Sequence, residues 1–280
     1  MKKILLILTV GLFISSCESD DFADPINPND FPTATFSLAN PSDAGATITE
    51  DSDGVVVNVM TDKAVNNGTS FGGEQVGGTA IEGEDFEIKG SSISAFGNST
   101  TVSILPINNP FPKTDRTVVV EVGPDVEFAE ALLNPNTQLP FTVSFTITDV
   151  NPTTGVNVGL AWDEDAAADL DLEIVKEDGS TLRFGPTATG ENPEIGVLLL
   201  NTDPDGTYYL DLNLFDIEGT PIDFNFGISD PNGSVSEFNG TFDVDNLDQY
   251  TFDANTDLGG SYRLIKIVKS GTTYTITQLF

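Results

Sequence analysis

The stretch FTVSFTIT, residues 141–148, alternates apolar and polar side chains over its whole length. This period of two predicts a β-strand with one buried face and one solvated face. Asn-Gly and Asp-Gly turns separate further runs of the same kind, at residues 156–162, 170–174, 208–214 and 222–228. Many short strands and almost no helical periodicity predict an all-β protein built from antiparallel sandwiches.

A turn-rich break interrupts the strand pattern near the middle of the chain. Residues 151–155 read NPTTG and follow a strand pattern that ends at Asp149. Proline, glycine and asparagine in such a cluster mark a boundary between elements rather than a strand. We therefore expect two immunoglobulin-like antiparallel β-sandwich domains, at residues 33–151 and 152–280, each of ordinary domain size.

Composition excludes several functional classes. The 280 residues include 44 acidic and 11 basic side chains, one cysteine and no histidine, with a formal charge of −33. Without histidine there is no Ser-His-Asp or Cys-His group, and no imidazole ligand for zinc, copper or haem. Nucleic acid is excluded as a partner because binding its phosphates requires lysine and arginine. Paired carboxylates could hydrolyse glycosides, but no hydrolase motif is present, so we expect a protein that is not an enzyme.

The N-terminal segment has the features of an export signal. Residues 1–17 read MKKILLILTVGLFISSC, a basic start and an apolar stretch too short to span a bilayer, closed by the single cysteine. This segment resembles a bacterial lipoprotein signal peptide. The resemblance implies cleavage after residue 16, lipidation of Cys17, and attachment to a membrane through several acyl chains, which anchor firmly.

The residues after Cys17 narrow the predicted location of the protein. Ser19, Asp20, Asp21 and Phe22 resemble the surface-export signal of lipoproteins from the Bacteroidetes, and especially from flavobacteria. Residues 17–32 are acidic and rich in proline, so we expect a flexible tether between the lipid and the first domain. The resemblance implies an outer-membrane lipoprotein exposed on the cell surface.

Motifs in the first domain follow the order of a known family. They are TITEDSDG at 47–54, GTA at 78–80, GEDF at 83–86, DRTVVV at 115–120 and FTITD at 145–149. This order resembles the Calx-β domain, a seven-stranded immunoglobulin-like sandwich that binds calcium at one end in ion exchangers. The resemblance implies that the calcium ligands here are Glu50, Asp85, Asp115 and Asp149.

The first domain also departs from that family. The family's acidic pair is replaced by Asn108-Asn109, and the basic residues Lys113 and Arg116 stand beside the implied site. Loops at one pole can supply the six to eight oxygens that calcium requires. Two other readings stay open: the two bases neutralise the acids, or the acids are solvated residues of turns and strand ends.

The second domain carries short motifs of a different kind. LAWD at 160–163, DLDLEI at 169–174 and GTYYL at 206–210 resemble bacterial extracellular sandwiches of the pre-peptidase C-terminal type. Asp169 and Asp171 share one strand face because they are two residues apart. Candidate oxygen ligands are Asp163, Asp165, Asp169 and Asp171. The alternative is that all four point to solvent while the neighbouring leucines fill the core.

Together these features predict a calcium-stabilised cell-surface lipoprotein that acts as an adhesion or binding module. The alternative is a glycan-binding lipoprotein that assists an outer-membrane nutrient importer. Expected partners are the membrane, through the lipid anchor, and a glycan or an outer-membrane protein. Exposed aromatic platforms usually accompany sugar binding, and the only tryptophan, Trp162, lies in an alternating run that predicts burial.

Overall fold

The computed structural model describes residues 27–125, 133–134, 137–163, 167–184, 187–218, 221–254, 256 and 260–280. The expected signal peptide, Cys17, the export signal Ser19 to Phe22 and Asp165 lie outside these ranges. Within them, no helix has the length and apolar character needed to cross a membrane. Short 3₁₀ turns lie at Pro28–Asp30, Pro41–Asp43 and Leu247–Gln249.

The first half of the chain forms two packed sheets. One sheet has the order β1-β3-β7-β5 and the other the order β2-β9-β8-β4-β6. β2 and β9 run parallel, so the residues that follow these two strands lie at the same pole of the sandwich. The strands are β1 (Ala34–Leu38), β2 (Thr47–Thr49), β3 (Val55–Thr61), β4 (Thr69–Gly78), β5 (Phe86–Lys89), β6 (Ser91–Ile93), β7 (Ser99–Pro106), β8 (Arg116–Pro124) and β9 (Phe141–Thr148).

The second half repeats the architecture with longer strands. One sheet has the order β13-β10-β15-β16, and the other the order β12-β11-β14-β18-β17 with β19 added on β18. The all-β prediction of two antiparallel sandwich domains is confirmed. The strands are β10 (Gly155–Trp162), β11 (Ala167–Lys176), β12 (Thr181–Arg183), β13 (Glu194–Leu200), β14 (Gly206–Glu218), β15 (Ile222–Ser229), β16 (Val235–Phe242), β17 (Thr251–Asp253), β18 (Ser261–Ser270) and β19 (Thr273–Gln278).

Each sandwich encloses its own core. Val143, Phe145 and Ile147 of the stretch 141–148 are buried in the first core, while Ser144 between them is exposed and Thr146 is half-buried. Trp162 is 8 % exposed and belongs to the second core, as its alternating run predicts. Each large apolar side chain withdrawn from water contributes roughly 1.5–3 kcal/mol, so the alternation itself supplies the main stabilising term.

A loop of the first domain rests on a sheet of the second. Residues 107–115, here called the docking loop, place the Phe111 ring against Gly159 and Gly227, which are paired across β10 and β15. A Cβ atom at Gly159 would lie 2.6 Å from the Phe111 ring, and one at Gly227 would lie 2.2 Å from the Pro112 carbonyl oxygen. The two glycines therefore provide the space in which the loop sits.

Polar contacts surround this apolar anchor. Asn157 Nδ2 donates to the Pro110 carbonyl over 3.2 Å, and Thr114 Oγ1 donates to Glu237 Oε1 over 2.9 Å. Phe111 is 6 % exposed, so its ring is withdrawn from water much as a core residue is. The docking loop thus forms a junction between the two domains.

Candidate metal centres

One pole of the first domain gathers three of its four candidate ligands. Glu50 follows β2 and Asp149 follows β9, and the parallel register of Thr49 with Thr148 sets the two acids side by side. Asp85 enters from the turn before β5. The three acids are 2 %, 7 % and 2 % exposed in the order Glu50, Asp149 and Asp85. Asp115 is exposed and lies outside this buried group.

Two basic side chains stand among these acids. Arg116 Nη2 donates to Glu50 Oε1, and Arg116 Nε lies 3.6 Å from Asp85 Oδ1. Lys113 Nζ donates to the same Asp85 oxygen over 2.8 Å. Arg116 is itself only 6 % exposed, so its charge is buried with theirs. We name the group of Glu50, Asp85, Asp149, Arg116 and Lys113 the first acidic cluster.

Backbone N–H groups also donate hydrogen bonds to carboxylates of the first acidic cluster. The Asn109 N–H donates to Glu50 Oε2 over 3.2 Å, and the Ile81 N–H donates to Asp85 Oδ2 over 2.8 Å. Every carboxylate oxygen of Glu50 and Asp85 therefore already accepts from the protein. Calcium needs six to eight oxygens that are free to turn toward it, and these two residues do not fit that requirement.

Burial governs the protonation of the remaining acid. Burial raises the pKa of Asp149 to about 6, and the nearby Glu50 carboxylate adds to the rise. The Val150 N–H and the positive charge of Arg116 oppose this rise. Burial also raises the pKa of Glu50, against the attraction of Arg116. Low dielectric favours the neutral carboxyl wherever a positive partner does not fully compensate.

The second domain holds a different group of acids at the edge of its sandwich. Asp169 and Asp171 lie on β11, and Glu194 is the first residue of β13. One carboxylate oxygen from each lies within 4.8 Å of the other two. Asp171 is 4 % exposed and Glu194 is 1 % exposed. We name these three residues the second acidic cluster.

The local fold explains why these acids meet. β12 pairs only with the far end of β11, near Ile174 and Val175, which leaves the edge beside Asp171 free for residues 187–194. Thr187 Oγ1 donates to the Leu172 carbonyl over 2.8 Å and fixes this segment on that edge. The Thr189 N–H and hydroxyl donate to Glu194 Oε1 over 2.9 and 2.7 Å, which orients the glutamate.

The second acidic cluster lacks the donors that the first one has. Asp169 Oδ1 and Glu194 Oε2 are buried without a hydrogen-bond partner, and no ion pair among the described residues reaches any of the three acids. Burial raises the pKa of Asp171 to about 6, and the charges of Asp169, Glu194 and Glu173 raise it further. Buried oxygens without a donor are costly unless a cation or water satisfies them.

The chemistry of these donors selects a class of ion. Carboxylate oxygens suit hard cations such as calcium and magnesium, whereas softer metals prefer thiolate or imidazole ligands. Three fixed carboxylates on a sheet edge suit calcium better, because magnesium retains several waters and demands octahedral geometry. The residues present therefore fit a calcium ion, with Asp169, Asp171 and Glu194 as its ligands.

The remaining candidates of the second domain do not join this cluster. Asp163 is exposed and lines an open cavity of 570 Å³ on the outer face of β10, β15 and β16. Glu194 was not among the residues predicted from the sequence. It lies 23 positions after Asp171 on another sheet, and an acid opening the otherwise apolar run EIGVLLL is the only signal that could have marked it.

Comparison with known proteins yields likeness of fold only. No family model matches the sequence, and no curated protein matches it. The chain is similar to the apo form of the Calx CBD1 domain, at 17 % identity over 43 % of this chain and 99 % of that one, with a TM-score of 0.31. It is similar to a two-domain protein of unknown function from Bacteroides fragilis, at 12 % identity over 88 % of each chain, with a TM-score of 0.31.

The chaperone DraB from E. coli is a third similar structure. It shares 9 % identity over 75 % of this chain and 98 % of that one, with a TM-score of 0.27. At these TM-scores none of the three likenesses contributes to a functional assignment. A functional assignment therefore rests on the geometry of the two acidic clusters.

Proposed function

We propose that this protein is a non-enzymatic binding module of the cell surface, held by a lipid on Cys17, whose second domain binds calcium. The second acidic cluster carries the proposal, because Glu194 Oε2 and Asp169 Oδ1 are buried beside Asp171 without a donor. A divalent cation would satisfy both oxygens and offset the mutual repulsion of three carboxylates.

Calcium at this edge would hold together parts of the chain that are otherwise joined by few contacts. Glu194 and Thr189 belong to the segment that crosses from one sheet to the other, whereas Asp169 and Asp171 belong to β11. Asn192 ties the same segment to Trp162, since its Nδ2 donates to the Trp162 carbonyl over 2.8 Å. The ion would thereby fix the surface around residues 187–194 for a binding partner.

Adhesion is the role that best suits two rigid sandwiches on an anchor. The docking loop joins the domains, and the formal charge of −33 keeps the protein soluble and repels other anionic surfaces. The export signal at Ser19 to Phe22 supports a location outside the outer membrane. A protein partner reached through the calcium-ordered edge is therefore the expected ligand.

A glycan-binding accessory role is the second candidate, and the cavity on the outer face of β10, β15 and β16 favours it. Its lining contains the amides of Asn225 and Asn239 and no basic residue, and Asn225 Oδ1 is buried without a partner. Sugar hydroxyls can donate to such acceptors. Against it, Trp162 contributes no exposed ring to this cavity, because it is buried.

A thermal melt of the whole chain in calcium, in magnesium and in excess EDTA tests the calcium proposal. At 100-fold saturation calcium should add about 2.7 kcal/mol to the free energy of unfolding, which raises Tm by about 5 °C or more. Calcium should also change the fluorescence of Trp162, because Trp162 exchanges hydrogen bonds with Asn192 and lies beside the cluster.

Glu194→Gln and Glu191→Gln form a matched pair for this test. Each removes one charge from the same segment, but the Glu191 side chain is exposed and outside the cluster. Glu194→Gln should abolish the calcium response while Glu191→Gln keeps it. An equal calcium response in both variants, or no response in the unmodified chain, would refute the proposed site.

A further inference from the structure

We infer that Arg116 is a built-in cation in the first domain: it takes the place of a bound calcium and holds the docking loop onto the second domain without any metal. The inference does not depend on the calcium site proposed for the second domain. It concerns the first acidic cluster, where groups of the protein already donate to every carboxylate oxygen of Glu50 and Asp85.

The guanidinium of Arg116 lies at the pole where the buried acids emerge. Arg116 is the first residue of β8 and pairs with Ile147 of β9, so the sheet register carries its side chain to the pole where Glu50 and Asp149 emerge. The guanidinium donates to Glu50 through Nη2, and its Nε lies 3.6 Å from Asp85 Oδ1, close enough for an ion pair but not for a hydrogen bond. A planar group with five donors is suited to bridging carboxylates from separate loops, as a metal ion would.

The two basic side chains of the first acidic cluster offset most of the charge of its three acids. Three buried acids face two basic side chains, and Lys113 Nζ lies 2.8 Å from Asp85 Oδ1. Adding a divalent ion to this arrangement would bring a net positive charge into a buried site and displace Arg116 from Glu50. Burying a charge that has lost its partner costs several kcal/mol. The guanidinium therefore excludes calcium from the pole it occupies.

The docking loop connects the first acidic cluster to the domain junction. The docking loop supplies both Lys113 and Asn109, and the Asn109 N–H donates to Glu50 Oε2 over 3.2 Å. Asn109 Oδ1 in turn accepts from the Phe111 N–H over 3.0 Å, which shapes the turn that presents the Phe111 ring to Gly159 and Gly227. The chain of contacts runs from Arg116 through Glu50 and Asn109 to the second domain.

The test removes the built-in cation and asks whether calcium replaces it. Arg116→Gln is made in the Glu194→Gln background, where the second-domain cluster is disabled, and the whole chain is melted in calcium and in EDTA. The expected result is a new calcium-dependent rise in Tm of about 5 °C or more, absent from the background chain. Adding Asp149→Asn should abolish that rise, because it removes an acid that the incoming ion would need.

Optical probes locate the effect. The single Trp and all five Tyr lie between Trp162 and Tyr274, so near-ultraviolet signals report the second domain, whereas calorimetry reports both. The calcium response of the double variant should therefore be seen by calorimetry with little change in Trp162 fluorescence at low temperature. A fluorescence change equal to that of the unmodified chain would mean that the second domain still binds the ion, and would overturn the inference.

Two further outcomes decide the matter. A double variant that folds equally well in calcium and EDTA, with no shift between them, overturns the inference. If it folds in neither buffer, Arg116→Lys in the same background decides: this chain keeps the charge, and it must fold and remain insensitive to calcium. A calcium-dependent rise in the Lys chain would show that a positive side chain there does not stand in for the ion.

Discussion

The two acidic clusters contain similar numbers of buried carboxylates and differ in what surrounds them. In the first, each oxygen of Glu50 and Asp85 accepts from an arginine, a lysine or a backbone N–H. In the second, Glu194 Oε2 and Asp169 Oδ1 have no donor, and no basic residue pairs with the group within the described ranges. The number of acids thus does not identify a candidate metal site; the unsatisfied oxygens do.

The difference has a simple physical origin. A buried carboxylate must be compensated by hydrogen bonds, by a fixed positive charge, by a bound ion or by its own protonation. The first cluster uses fixed charges from the chain, so its stability should not depend on calcium. The second has none, so its stability should change with calcium.

The largest expected effect comes from removing the fixed charge of the first cluster. Arg116→Met leaves Glu50 and Asp85 buried with only Lys113 as a cation, and breaking such a pair typically costs about 3–5 kcal/mol. Urea unfolding of the variant in EDTA measures the loss, with the exposed Lys176→Met as the matched control. A loss as small as that of the control would mean that the two clusters do not differ in the way proposed.

The next effect tests whether the docking loop couples the two domains. Phe111→Ala removes the ring that packs against Gly159 and Gly227, with an expected cost of about 3 kcal/mol. Calorimetry should then resolve two transitions in place of one, because each sandwich retains its own core. A single transition with an unchanged Tm would show that the docking loop contributes nothing to the coupling.

A third effect is a pH dependence that both clusters share. Burial raises the pKa of Asp149 and Asp171 to about 6, well above the value of 3.8 for an unperturbed carboxyl. It does the same for Asp211, a buried residue of β14 outside both clusters that accepts from Arg263. The folded state then binds more protons than the unfolded state between these values, so stability falls as pH rises through that window. Lowering the pH from 6 to 5 in EDTA should add about 1 kcal/mol for each group.

Calcium sharpens this pH comparison. An ion bound at the second cluster requires Asp171 to be ionised, so saturating calcium should remove the Asp171 part of the pH dependence and leave the parts of Asp149 and Asp211. Melts across pH 5 to 7 with and without calcium measure the two slopes. Parallel curves would contradict calcium binding at Asp171.

The smallest effect has the opposite sign to the first. In EDTA, Glu194→Gln relieves the repulsion on Asp171 and should raise the free energy of unfolding by about 1 kcal/mol. The same change in calcium should lower Tm relative to the unmodified chain. Arg116→Met should destabilise in both buffers. A destabilised Glu194→Gln chain in EDTA would show that Glu194 serves mainly through its bonds to Thr189.

Much of the fold was accessible from local patterns. Alternation at residues 141–148 and 156–162 identifies the strands and their buried faces, because side chains in a strand alternate between its two sides. Of the acids predicted for the first pole, Glu50, Asp85 and Asp149 lie together, whereas Asp115 is exposed. The basic neighbours Lys113 and Arg116 were visible in the sequence, but whether they reach the acids was not.

What the sequence determined by itself is the class of structure and the position of its strands, since strand period and turn residues are properties of neighbouring positions. Only the tertiary structure decided which carboxylates find a donor. Glu194 meets Asp171 across two sheets, and Arg116 meets Glu50 because strand register carries both to one pole. Such meetings depend on pairings between distant segments, and the energy of a buried charge depends on every group around it.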